Sequence, residues 1–415
     1  MSSPYIQPGF EFDDNTSSRN SSASAWSILF QASTIFAIIA LAALVFNIIN
    51  QAFGYVAYSS RVDPQTLAVN GVSLEAMPRE DLIKILQSKI SAAAFKKLDN
   101  EAPFAERSAE DVLGLIYERI IKVKVEETWG LWDSVFNKAL IDEEVNQNFP
   151  GATLKFESWL NTGFITRPQS SNAVLAGIRT ATLGSLWTIL FTILVALPFG
   201  VGAAVYLEEY ASDNWLNRLI QTNINNLAGV PSIVYGILGL AIFVRLLEPI
   251  SSGAIFGFTD PTTANGRTVL SAGFTLALLV LPIIIINAQE AIRAVPQSLR
   301  KASYGVGATK WQTVWSHVLP GAIPGILTGS ILAISRAIGE TAPLVVVGAS
   351  TFITFDPTSP FSKFTTLPIQ IYQWTSRPQA EFRNLAAAAI LVLLILLLGL
   401  NAVAIVLRNR FSHKN

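Results

Sequence analysis

The 415-residue chain is 51% hydrophobic and only 14% charged, with a mean hydropathy of +0.44, a balance that fits an integral membrane protein and excludes an ordinary soluble enzyme of this length. Its 29 basic and 29 acidic residues cancel, so there is no one-signed field to gather nucleic acid. Zero cysteines exclude disulfides, thiolate metal sites and a cysteine nucleophile, and two histidines leave little for a histidine-based metal centre.

Residues 1–26 are rich in Ser and Asn and read as a disordered tail. A bilayer crossing needs about 20 predominantly apolar residues. Six stretches meet that length, at 28–49 (within a first-span region 27–50), 183–207, 227–247, 268–288, 325–349 and 385–407. The first is too long for a signal peptide, and the tail before it carries Glu11, Asp13 and Asp14 against Arg19 alone. Pro198, Pro231 and Pro282 interrupt three of the spans, which is tolerable where neighbours take up the freed carbonyl. No internal repeat is visible.

Between the first two spans lies an insertion, 51–172, with 13 basic and 17 acidic residues, more than half of all the charges in the chain, so it belongs in water. Its patterns are helical. "MPREDLIKILQSKI" puts Pro78 at a helix start and Leu82, Ile85, Leu86 and Ile90 on one face; "SAEDVLGLIYERI" opens with Ser108 and Asp111 at capping-box spacing before Val112, Leu115, Ile116 and Ile120. A docking surface for an external partner and a packed cap without a dedicated role both fit. The remaining membrane core is 173–411, followed by a short tail at 412–415.

The Lys/Arg bias of short loops sets orientation. With a cytoplasmic N-terminus, nine basic residues lie inside (Arg19, Arg218, Arg293, Arg300, Lys301, Lys310, Arg408, Arg410, Lys414) and five outside (Arg245, Arg267, Lys363, Arg377, Arg383). Both termini are then cytoplasmic and the insertion is extracytoplasmic.

The stretch "ISRAIGETAP" (334–343) places Arg336 at the middle of the 325–349 span and Glu340 four residues on, with both heads on one helical face. Insertion scales charge about 2.5–3.5 kcal/mol for each such residue at a span centre. Pro343 cannot donate to the carbonyl of Gly339, which makes these two the expected hinge. Ser335 and Thr341 add hydroxyls nearby. One reading is a structural ion pair that locks two helices together. The other is a pathway lining: the planar fork of Arg336 can hold two oxygens of an oxyanion, and Glu340 can accept the OH of hydrogen phosphate, which sulfate lacks.

Between the fourth and fifth spans, the loop 289–321 reads as a short helix after Pro296, ended by glycine, then a second helix with Trp311, Val314, Trp315 and Val318. "GVGATK" is no phosphate loop, because Thr309 precedes Lys310 and Trp311 follows it. "KASYGVGATKWQTVWSHVLP" resembles the EAA loop of ABC import permeases: Ala302, Gly307, Leu319 and Pro320 fall in register, while Lys301, Ser303 and His317 depart from the pattern. "LAGVPSIVYGILGLAIFV", "SRAIGETAPLVVVG" and "TLPIQIYQW" narrow the likeness to phosphate ABC transporter permeases of the PstA type, over roughly 155–411 plus the first span.

That resemblance implies an all-α, six-helix type I importer permease in a bacterial inner membrane, with a mainly helical insertion. It implies a transport subunit, not an enzyme, for inorganic phosphate, with no cofactor of its own because ATP and Mg are bound by a partner. The implied partners are a second permease of the PstC type, a dimer of ATP-binding subunits and an extracytoplasmic phosphate-binding protein. Arg336, Glu340, Ser335 and Thr341 would line the substrate path. Ala302, Gly307, Ala308, Lys310, Trp311, Leu319 and Pro320 would couple to the ATPase, with Trp311 packed in its cleft and Lys310 wet. A permease for sulfate or molybdate, and a membrane sensor that transports nothing, are the competing readings.

Overall fold

The computed structural model describes residues 16–60, 62, 64–67, 72–101, 103–105, 107, 109–258, 265–350 and 352–412. Among them, five helices are long and apolar enough to cross a membrane: Ala23–Ala52, Arg179–Tyr210, Val269–Arg293, Lys310–Gly339 and Ala380–Arg410. Most of the expected disordered tail lies outside the described residues, but from Thr16 onward the chain is already helical and runs unbroken to Ala52.

The expected 227–247 span requires correction. It is the second limb of a bent pair, Trp215–Ala228 and Ser232–Leu246, which meet at 108° and make a sixth crossing only if counted together. Pro231 occupies the cap position of the second limb, where its missing N–H costs nothing. The Tyr235 hydroxyl then donates to the Leu227 carbonyl at 2.8 Å and pins the bend. Pro198 and Pro282, by contrast, sit inside continuous helices.

Val269–Arg293 is the axis of the bundle. Thr268 and Ser271 form a reciprocal capping box at its start, and it is buried between Arg179–Val205, Leu319–Gly339 and Ser232–Gly239. Leu276, Val280 and Ile284 pack there with Ala196, Ala333 and Ala337, whose small side chains let the helices close up. The first and last long helices present apolar surfaces outward, with Phe36, Ile38, Leu41, Ile395 and Leu398 all exposed, the mark of a lipid-facing wall.

The all-α expectation also fails in one place. Within the insertion, β1 (Phe53–Ser59), β2 (Lys124–Thr128) and β3 (Thr153–Ser158) form an antiparallel sheet in the order β2-β1-β3, with Val56 opposite Thr128 and Tyr55 opposite Phe156. The strands are short, and β2 and β3 carry charges where alternation would show, so nothing in their local pattern announced them. The helical faces read from the sequence do form. Leu82, Leu86, Val112, Ile116 and Ile120 share a separate core, with Ile85, Ile90 and Leu115 packed against it; Ser108 lies outside the described residues. Val56 and Trp159 tie the sheet to the membrane core through Leu367, Trp374 and Leu385.

Candidate functional site

The helix carrying Arg336 stops at Gly339. Glu340 is extended (φ −75°, ψ 127°), and a separate short helix, Ala342–Val347, follows with Pro343 at its start. Arg336 therefore stands in the last turn of its helix and not at the middle of a 325–349 span, a correction that follows from the donor Pro343 lacks. A guanidinium at that position also complements the negative end of the helix dipole.

The pair itself forms. Arg336 Nε donates to Glu340 Oε1 at 3.3 Å, and the terminal nitrogens of Arg336 make no hydrogen bond among the described residues. Its side chain is 41% exposed and that of Glu340 17%, so the cation opens outward from this chain while the acid is mostly covered. Thr341 caps the following helix by position without a side-chain bond, and Pro343 is buried. Gly339 has open space where a Cβ would project. Ser335 is not brought to the pair: its hydroxyl donates to Asn401 Oδ1 at 2.8 Å and ties the helix to the final span.

In the 289–321 loop, Pro296 precedes the helix Gln297–Gly305, as the sequence suggested. Gly307 turns the chain at φ +85°, a left-handed conformation that favours glycine. Thr309 and Gln312 then form a capping box for Lys310–Thr313. A π-helical turn, Val314–Val318, leads into Leu319–Gly339, which opens with Leu319 and Pro320. The four apolar residues of this segment do not share a face. Val314 and Val318 are buried, whereas Trp311 and Trp315 are exposed and stacked, with centroids 5.5 Å apart. Lys310 is exposed with its Nζ 5.2 Å from the Tyr210 ring centroid; Ala302 is exposed and Ala308 half-buried.

Sequence reasoning missed what anchors this loop. Arg300 is almost fully buried; its Nε and one terminal nitrogen donate to Glu209 Oε1 at 3.1 and 2.8 Å, and its remaining donors reach the carbonyls of Val295 (2.7 Å) and Ile292 (2.9 Å). Beside it, Arg293 grips both oxygens of Glu208 at 2.8 and 2.6 Å. The adjacent Glu208 and Glu209 at the end of an apolar span were the available signal. Ser303, a departure from the EAA pattern, shares a 2.9 Å hydrogen bond with the Thr313 hydroxyl, while Lys301 and His317 are exposed. Among the described residues no cluster of three or more His, Cys, Asp or Glu side chains offers a metal site.

Residues 196–414 match the family described as "Binding-protein-dependent transport system inner membrane component", over more than half of the chain. The chain belongs to this family. It is a multi-pass inner-membrane permease component of an ABC importer, a non-catalytic subunit of a class that works with ATPase subunits and binding proteins. The permease is 34% identical over 259 residues to the "Probable ABC transporter permease protein YqgI" of Bacillus subtilis (strain 168), a match covering 59% of this chain and 83% of the relative. It is 34% identical over 243 residues to the "Phosphate transport system permease protein PstA" of Yersinia pestis, covering 58% and 76%. It is 33% identical over 194 residues to the "Phosphate transport system permease protein PstC" of Pasteurella multocida, covering 45% and 60%.

Proposed function

We propose that this permease is the PstA-type half of an ATP-driven importer of inorganic phosphate. The relatives named for phosphate transport support the substrate, and the observation that carries the mechanism is the outward-open Arg336 fork at a helix break. A guanidinium with two unengaged nitrogens is a bidentate ligand for a tetrahedral oxyanion. Glu340, held beside it, accepts a proton-bearing oxygen and repels a fully ionised one. A second, PstC-type permease would face this surface and complete the path, and Thr341 and the Gly339–Pro343 break would let the lining shift between inward- and outward-open states.

The stacked Trp311 and Trp315 are the surface proposed to seat in the ATPase, with Ala302, Gly307, Ala308 and Lys310 around them. Leu319 and Pro320 would pass that motion into the helix whose last turn carries Arg336. In this reading the loop and both termini are cytoplasmic, and a phosphate-binding protein docks on the opposite side, where the insertion lies.

The test is reconstitution of the whole complex with wild-type and Arg336→Ala subunits. Assembly is expected to survive and phosphate uptake to be abolished. Normal uptake by the variant would remove the pair from the mechanism, and uptake competed equally by sulfate or molybdate would reassign the substrate.

A further inference from the structure

The short helix Leu131–Phe136 is inside out for an element facing water. Its buried side chain is Ser134, whose hydroxyl donates to the Gly130 carbonyl at 2.7 Å and accepts the Tyr55 N–H at 2.8 Å. Its outward side chains are Trp132, Val135 and Phe136, exposed to 54, 61 and 64%, and Leu140 in the next helix, Lys138–Asn148, adds another at 64%. A hydroxyl hidden and four large apolar groups presented is the polarity expected against an apolar medium.

Position decides what that medium is. Asn50 Oδ1, in the last turn of the first span, accepts the Trp132 N–H at 2.7 Å. The Trp132 ring meets Phe46 edge-on with centroids 6.2 Å apart, and Phe136 lies 4.4 Å beyond it. Phe46 is exposed with Leu44, Leu41 and Ile39 on the helix Ala23–Ala52, which is long and apolar enough to cross a membrane, so the patch continues that helix's exposed apolar surface. Phe46 lies about 9 Å from the end of that helix at 1.5 Å per residue, the depth of the headgroup and upper acyl region, where tryptophan is favoured.

We infer that Trp132, Val135, Phe136 and Leu140 form a membrane-interface foot on which the insertion rests. Its occupant is the boundary of headgroups and acyl chains in the leaflet at the C-terminal end of the first span. The foot sets the height of the helical lobe above the bilayer, whichever substrate the permease carries and whichever side the insertion faces.

The absence of cysteine makes the test clean. Val135→Cys and Leu140→Cys, each spin-labelled in the full chain assembled with its partner subunits, are placed in phosphatidylcholine/phosphatidylglycerol nanodiscs beside Gln87→Cys on the exposed side of Arg79–Lys89. Labels at 135 and 140 are expected to be relaxed by dissolved oxygen and shielded several-fold from a water-soluble nickel chelate, with the reverse at 87. Nickel access at 135 and 140 equal to that at 87 would overturn the foot. So would shielding from both relaxants, which would mean that protein covers the patch.

Discussion

Gly236 packs directly on the backbone of Pro343: a Cβ at Gly236 would stand 2.6 Å from the Pro343 Cα and 3.0 Å from its carbonyl oxygen. That contact joins the limb after the 108° bend to the short helix after Glu340, so the two interruptions in the bundle lie against each other. Gly236→Val is expected to force them apart at a cost of about 1–3 kcal/mol and to reduce uptake. Thermal unfolding of the purified complex, measured beside transport, checks this; a wild-type midpoint with wild-type uptake would show that the contact does not constrain the path.

Arg300 and Glu209 predict a different kind of defect. Arg300→Ala leaves a buried carboxylate and the Val295 carbonyl without the donors the guanidinium supplies, while the Ile292 carbonyl keeps only its backbone donors, and removing one partner of a buried pair costs about 3–5 kcal/mol. Arg300→Lys keeps the charge but cannot reach all three acceptors, so an intermediate loss is expected. Denaturant unfolding of the two variants should rank them in that order; equal stability with wild type would mean that the loop is held by other contacts.

Glu340→Gln tests selectivity. The amide keeps the hydrogen-bonding shape near Arg336 but removes the charge that turns away sulfate. Competition by sulfate against phosphate uptake is expected to rise while transport persists. Unchanged discrimination in a transport-competent variant would assign Glu340 a structural role only.

Acid should loosen the insertion's sheet. Lys124 first, at 2.7 Å, and then the Ser59 hydroxyl hold the Glu126 carboxyl below its ordinary value of 4.5. A carboxyl held low in the folded state stabilises that state above its unfolded pKa, and the contribution is lost as pH falls through the folded one. Pairing of β1 with β2 is therefore expected to weaken below about pH 4.5, by a small amount because Lys124 is exposed and the pair is screened. Amide exchange of a Phe53–Ser59 peptide, corrected for intrinsic rates, should show this, and Glu126→Gln should flatten it.

The sequence by itself determined what depends on near neighbours. Runs of apolar residues set the long helices, the i,i+4 spacing of Arg336 and Glu340 brought their heads together, and Leu82, Leu86, Val112 and Ile116 marked buried faces correctly. Even the break at Gly339 is foreshadowed by Pro343, although the local pattern places the arginine at a span centre and the structure places it at a helix end. Only the tertiary structure decided the rest. Ser335 turning to Asn401, Arg300 entering the end of another span at Glu209, and β1 finding β2 and β3 are pairings between segments 66, 91 and scores of residues apart. Each choice is made by which surfaces meet when the helices pack, and a local pattern of polarity holds no record of the distant partner that will satisfy it.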